Sequence, residues 1–148
     1  MRQLALFENK NSNQGVTKLD ITGFKSNCPD KVRPFLRYPG SKYNASKYIE
    51  PFWSGVNFSE YREPFLGSGA VFFKMPKVQL SILNDLDVDL INCFKAVQDK
   101  DLLMKLKRDV VDVLPSKDWF NKLRETKPET NYDNALKYFL INRTAYSG

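Results

Sequence analysis

Glu63-Pro64-Phe65-Leu66-Gly67-Ser68-Gly69-Ala70-Val71-Phe72-Phe73 sets an acid and a proline ahead of a G-x-G pair, and an apolar run follows the pair at once. The chain has only seven glycines, so two of them one residue apart mark a requirement of the backbone. A tight turn between a strand and a helix is one such requirement. A ligand that must approach the backbone amides is another. The flanking pattern places the pair at a strand-to-helix handover. Glu60–Phe65 reads as a short strand, Gly69–Lys74 as the first turns of a helix, and Val78–Leu83, V-Q-L-S-I-L, as a second, buried strand. Asp85–Gln98 then reads as a helix with Leu86, Leu90, Ile91 and Phe94 on one face. Strand, glycine turn, helix, strand, helix is the order of an α/β fold.

The second strand ends in Asn84-Asp85-Leu86-Asp87, which puts Asp85 18 residues after Gly67. In a nucleotide-type α/β site the glycines admit a cofactor to the backbone. An acid at the end of the second strand accepts both hydroxyls of a ribose. The third glycine of a dinucleotide fingerprint is missing, so the pattern favours an adenosine cofactor without a pyrophosphate, and S-adenosylmethionine meets that description.

Further out, a helix is expected over Ala45–Phe52. Beyond Asp99 the spacing is helical throughout: Leu102, Leu103, Leu106 and Val110, then Trp119, Phe120 and Leu123, then Leu136, Phe139 and Leu140. Such stripes form a core far more often than a site. Residues 1–31 are polar and weakly patterned and read as a flexible N-terminal arm, with one domain over 32–148. At 148 residues the chain suits a single core.

Composition narrows the chemistry. The chain contains no histidine, and Cys28 and Cys93 form no C-x-x-C pair, so neither a zinc site nor a disulfide framework is expected. Without histidine, the usual base for serine or cysteine nucleophiles is missing too. No apolar run reaches the roughly 18 residues of a membrane span, and the polar start does not read as a signal peptide, so a cytoplasmic location is expected. The net charge is +6, and residues 1–50 carry nine Lys/Arg against four Asp/Glu. That charge interleaves with aromatics in Val32–Tyr43, V-R-P-F-L-R-Y-P-G-S-K-Y. The mixture suits nucleic acid through phosphate neutralisation and stacking, and equally an ordinary solvated basic surface.

Four blocks in this order, F-L-R-Y-P-G-S-K, E-P-F-L-G-S-G-A-V-F-F, S-I-L-N-D-L-D-V-D-L-I-N and F-L-I-N-R-T-A-Y-S-G, resemble successive blocks of the Dam-type adenine-specific DNA methyltransferases. They span Phe35 to Gly148. The resemblance implies a partial Rossmann-like S-adenosylmethionine-dependent methyltransferase fold with a helical C-terminal part. It also implies methyl transfer to the 6-amino group of adenine in double-stranded DNA. By it, Tyr38, Lys42, Glu63 and Phe65 contact the cofactor, Gly67 to Gly69 cradle its methionine end, and Asp85 holds the ribose. Lys42 would pair with the methionine carboxylate. The family often has Trp-Ala-Gly-Gly-Lys where this chain has Tyr38-Pro39-Gly40-Ser41-Lys42. Tyr38 also suits a core aromatic, Glu63 a residue that only orients the loop, and Arg37 either a DNA contact or surface charge. Asp87 and Asp89 suit the N-terminus of a helix.

The family's base-stacking Asp-Pro-Pro-Tyr segment has no counterpart, since none of the eight prolines adjoins another. No catalytic residue is therefore assigned. These 148 residues are expected to be the cofactor-binding half or subunit of such an enzyme, inactive without a second chain bearing D-P-P-Y. The alternative is a non-catalytic remnant that binds S-adenosylmethionine, DNA or a protein partner. A last motif, Gln3-Leu4-Ala5-Leu6-Phe7, resembles the short peptide by which bacterial DNA enzymes dock on the replicative sliding clamp, with Gln3, Leu4, Leu6 and Phe7 as contacts. A terminal strand or tail explains it as well.

Overall fold

Pro64 has no N–H to offer a neighbouring strand, and the first strand of the glycine block stops in front of it. In the computed structural model, which describes residues 32–145 and the backbone of 2–7 and 17–21, four strands form one sheet. They are β1 (Arg2–Phe7), β2 (Thr17–Ile21), β3 (Glu60–Glu63) and β4 (Leu80–Asn84), in the order β2-β1-β4-β3. β4 runs parallel to both neighbours, pairing Glu60 with Leu80 through Glu63 with Leu83 on one side and Gln3 with Leu80 through Phe7 with Asn84 on the other. β2 pairs antiparallel to β1.

The range read as an arm, 1–31, thus contains two strand segments; the rest of it, and the side chains of the clamp-like Gln3–Phe7 stretch, lie outside the described residues, as do Cys28 and residues 146–148. Pairing with a strand more than 70 positions away is a non-local contact that local patterning does not announce. β4 begins at Leu80 rather than Val78 because its ladder opens where the Leu80 N–H meets the Ser59 carbonyl at 3.1 Å.

The chain divides into two compact units, Met1–Leu86 and Asp87–Gly148. In the first unit, Leu36, Leu66, Ala70, Val78 and Leu83 are buried. The expected Ala45–Phe52 helix is a short α1 (Ser46–Ile49) running into a 3₁₀ turn at Glu50–Phe52, where Pro51 stands near the start. The helix expected from Gly69 to Lys74 is instead a set of hydrogen-bonded turns. Phe73 N–H reaches the Gly69 carbonyl at 2.9 Å and Met75 N–H the Val71 carbonyl at 3.0 Å. Pro76 follows directly, and the backbone ahead of a proline is driven out of the helical region.

The second unit is helical: α2 (Val88–Gln98), α3 (Lys100–Val111), α4 (Lys117–Glu125) and α5 (Asn131–Thr144). α2 starts three residues later than expected because Asp87 is its cap, accepting from the N–H groups of Asp89 and Leu90. Its buried stripe includes Leu90, Ile91, Cys93 and Phe94, while Leu86 stands ahead of the helix and is exposed. Burial pushes the Cys93 thiol up to about 12, which leaves it an inert core group. α5 packs against α2 through polar as well as apolar groups. Asn134 donates to Asp89 at 2.8 Å, Asn92 donates to Asn134 at 3.2 Å, and the Tyr138 hydroxyl donates to Asp87 at 3.2 Å. Asp87 and Asp89 are thereby engaged in helix capping and helix docking.

α5 opens on a capping box, in which the Thr130 hydroxyl accepts from Asp133 N–H and the Asp133 carboxylate accepts from Thr130 N–H. Thr130→Ala is expected to lower stability by about 1 kcal/mol, read from the urea midpoint, whereas Thr130→Asn restores most of that loss. An unchanged midpoint in Thr130→Ala would show that the cap is dispensable.

Candidate functional site

The glycine turn hangs on the end of β4. Leu66 N–H bonds to the Asn84 carbonyl at 2.8 Å, and the Asn84 side-chain amide donates back to the Pro64 carbonyl at 2.9 Å. Gly67 N–H donates to the Asp85 carboxylate at 2.8 Å. Consecutive residues at the end of one strand thus fix successive residues after the other, extending the β3–β4 pairing past Pro64. The turn then closes on itself, with Gly69 N–H bonded to the Leu66 carbonyl at 2.8 Å.

Gly67 and Gly69 have φ of 49° and 67°, in the left-handed region that favours glycine. Gly67 carries a second constraint, because a Cβ there would lie 3.1 Å and 3.3 Å from two ring carbons of Tyr38. The Y-P-G-S-K block is therefore laid against the glycine block. Its own turn is closed by Ser41 N–H to the Tyr38 carbonyl at 3.0 Å, with Gly40 at a φ of 74°. The hydroxyls of Ser41 and buried Ser68 lie 2.8 Å apart and hold the two turns together. Lys42 donates to the Gly40 carbonyl at 2.7 Å.

Between these segments lies a pocket of about 370 Å³, within the first unit. That volume is in the range of small-molecule sites. Six of the expected residues, Tyr38, Lys42, Glu63, Phe65, Gly67 and Asp85, line it together. Gly69 belongs to the same turn but is buried behind the lining. Arg37, next to Tyr38, is exposed and does not border the pocket. The basic and aromatic mixture around it is organised, with Arg33 and Lys74 lying 5.7 Å and 4.7 Å from the centre of the Tyr43 ring.

The electrostatics are uneven. Burial is the main cause that pushes the Glu63 carboxyl up to about 7, against the opposing hydrogen bonds from the Tyr61 hydroxyl, at 2.8 Å, and from Phe72 N–H. The Tyr61 phenol is raised in turn by burial and by Glu63, so it stays protonated. Phe65 is 82% exposed, a large apolar ring held at the pocket wall with most of its surface in water. Among the described residues no cluster of His, Cys, Asp and Glu could hold a metal ion, and no helix is long and apolar enough to cross a membrane. What the arrangement can do is bind. A carboxylate for a diol, a lysine for an anion, apolar walls and left-handed glycines form a cradle for a polar organic molecule.

Sequence reasoning missed Ser41, Ser68 and Tyr61. The two serines look like spacers inside glycine motifs, and only the fold brings their hydroxyls together. Tyr61 could have been suspected, because i and i+2 share a face on a strand and Glu63 stands at that spacing.

A family model described as D12 class N6 adenine-specific DNA methyltransferase matches residues 38–148. The chain is 28% identical over 120 residues to the type II methyltransferase M1.LlaDCHI of Lactococcus lactis subsp. cremoris, covering 78% of this chain and 40% of that protein. It is 29% identical over 137 residues to the type II methyltransferase M.MjaIII of Methanocaldococcus jannaschii, covering 80% and 47%. Against the type II methyltransferase M.CviBI of Paramecium bursaria Chlorella virus NC1A the identity is 23% over 122 residues, covering 79% and 45%. The chain spans less than half the length of each of these relatives.

Proposed function

We infer the function from one premise, that this chain belongs to the family of D12 class N6 adenine-specific DNA methyltransferases. The proposed activity is methyl transfer from S-adenosylmethionine to the 6-amino group of adenine in double-stranded DNA. These residues supply the cofactor-binding part of a Rossmann-like methyltransferase fold. The names of the relatives favour a setting in a restriction–modification pair.

The observation that carries the reading is convergence. Tyr38 and Lys42, then Glu63, Phe65 and Gly67, and Asp85 come from three separate stretches of sequence and border one pocket. The residues suit the cofactor. Asp85 would accept the ribose hydroxyls while keeping Gly67 N–H, since a carboxylate has about four lone-pair sites. Lys42 would meet the methionine carboxylate, and Tyr38 and Phe65 would cover apolar surface. When bound, the cofactor supplies an electrophilic methyl on a sulfonium. The chain's own part is to bind, orient and shield that group.

The acceptor nitrogen is conjugated into the adenine ring and poorly nucleophilic, so it must be held by hydrogen bonds and stacking on a flipped base. The family's D-P-P-Y segment would do that, and it does not occur in these 148 residues. Methylation is therefore expected to need a second segment or chain. Labelled methyl transfer to duplex DNA should be undetectable with this chain alone and appear when a complement bearing D-P-P-Y is added. Robust transfer by the chain alone would overturn the division of labour. Cofactor binding with no transfer under any complementation would favour a non-catalytic binding protein.

A further inference from the structure

Among the described residues, the acidic and basic side chains bordering the pocket are Lys42, Glu63 and Asp85. If Lys42 meets the cofactor carboxylate and Asp85 the ribose, Glu63 is the acid left for a cationic group of the ligand, either the sulfonium or the α-ammonium that the spent cofactor also carries. Its surroundings are unusual for a carboxylate. It ends β3, accepts from the Tyr61 hydroxyl at 2.8 Å, and is backed by the Tyr61 ring, which stacks on Phe72 with centroids 6.3 Å apart. Among the described residues no lysine or arginine forms an ion pair with it. A half-buried anion without a cation is a poor solution for the protein alone and a good one once a cationic ligand group arrives.

S-Adenosylmethionine and its demethylated product share the adenosine, the ribose and the amino-acid end. They differ by one methyl group and one positive charge at sulfur. We propose that Glu63 is a specificity-determining residue that favours the sulfonium of S-adenosylmethionine over the neutral thioether of S-adenosylhomocysteine, so that the spent cofactor leaves more readily than the fresh one. This rests on reading the pocket as the S-adenosylmethionine site. An opposite charge within about 4–6 Å is worth roughly 10- to 1000-fold in such a balance, whereas a hydroxyl or an amide would separate the two ligands hardly at all.

The discrimination depends on pH in a stated direction. Because the Glu63 carboxyl is pushed up to about 7, it is mostly neutral at pH 6 and mostly ionised at pH 8. A cationic ligand favours the ionised form, so binding S-adenosylmethionine releases a proton, and its affinity rises as pH climbs through 7. The groups facing Glu63 are the Tyr61 phenol on its own strand, Phe72 N–H in the following turn, and Lys42 and Asp85 around the pocket.

Calorimetric titration of the full chain with each ligand, at about pH 6 and about pH 8, tests this. The ratio of the S-adenosylhomocysteine Kd to the S-adenosylmethionine Kd should rise by about five- to tenfold between the two pH values, tenfold being the ceiling set by the change in the ionised fraction of Glu63. In Glu63→Gln, which keeps the shape and removes the charge, the ratio should be small and flat, and Glu63→Asp should recover part of the slope. A pH-independent ratio in the unsubstituted chain, or a slope that survives in Glu63→Gln, would overturn the proposal while leaving the cofactor site intact. Failure of both ligands to bind at millimolar concentration would overturn the cofactor reading itself. Should Glu63→Gln not fold, the ratio in the unsubstituted chain alone decides.

Discussion

Asp85→Ala should reduce S-adenosylmethionine affinity by about 100-fold or more and loosen the glycine turn at the same time. Two hydrogen bonds from the ribose hydroxyls to a carboxylate are each worth about 1.5–3 kcal/mol. That range alone spans roughly two to four powers of ten in Kd. The second effect comes from the protein, because Asp85 also accepts from Gly67 N–H at 2.8 Å. Removing the carboxylate leaves that amide without its acceptor, so hydrogen exchange at Gly67 should quicken even with no ligand present. Asp85→Asn separates the two duties. Its side-chain oxygen can still accept from Gly67, whereas its amide nitrogen presents donors to a diol that needs acceptors. Exchange at Gly67 should then remain slow while affinity still falls. If Asp85→Asn bound the cofactor as tightly as the unsubstituted chain, the ribose assignment would be wrong.

That double role shows how far the sequence carried the site and where it stopped. The spacing from Gly67 to Asp85 picked out two residues of the pocket, and the resemblance of the Tyr38–Lys42 and Glu63–Phe73 blocks to a known family pointed to the others. Spacing of this kind is legible because it reflects chain geometry, with a strand of fixed reach, a turn, and a return strand of matching length. What was illegible is how those residues touch. Nothing in G-S-G says that its serine meets the serine of P-G-S-K at 2.8 Å, and nothing in N-D says that Asn84 and Asp85 grip Pro64, Leu66 and Gly67 in turn.

The fold divides in the same way. Helical stripes identified α2 to α5, yet Leu106 is the only buried residue of α3 and α4 has none. Periodicity reports which face is apolar, not how deep it sits. α5 shows the opposite gap. Its docking on α2 uses Asn134 and Tyr138, polar residues that a search for apolar spacing passes over. The turn at Gly69–Lys74 was misread because V-F-F has the apolar content of a helix start, while Pro76 lies too close for the helix to continue.

Gly67→Ala should be more damaging than Gly40→Ala, and its cause can be divided by experiment. At a φ of 49° the backbone of any L-residue is strained, at about 1–2 kcal/mol. The new methyl would also meet the Tyr38 ring at 3.1 Å and 3.3 Å, closer than carbons normally pack, so the ring must give way. Tyr38 borders the pocket, and displacing it should weaken S-adenosylmethionine binding at least about tenfold, since misplacements near an ångström are enough to disable a site. Gly40→Ala supplies the control. Its φ of 74° is equally left-handed, yet a Cβ there meets nothing within 4 Å, so it should show the backbone cost alone. Tyr38→Leu supplies the other half, a smaller partner that relieves the contact and leaves the strain. Urea denaturation of Gly67→Ala, Tyr38→Leu and the double variant should therefore give a coupling of about 0.5–3 kcal/mol, with the double variant less destabilised than the sum of the singles. Strict additivity would mean that Gly67 is required by its dihedral angle alone, and that the closeness of Tyr38 to the turn plays no part in shaping the pocket.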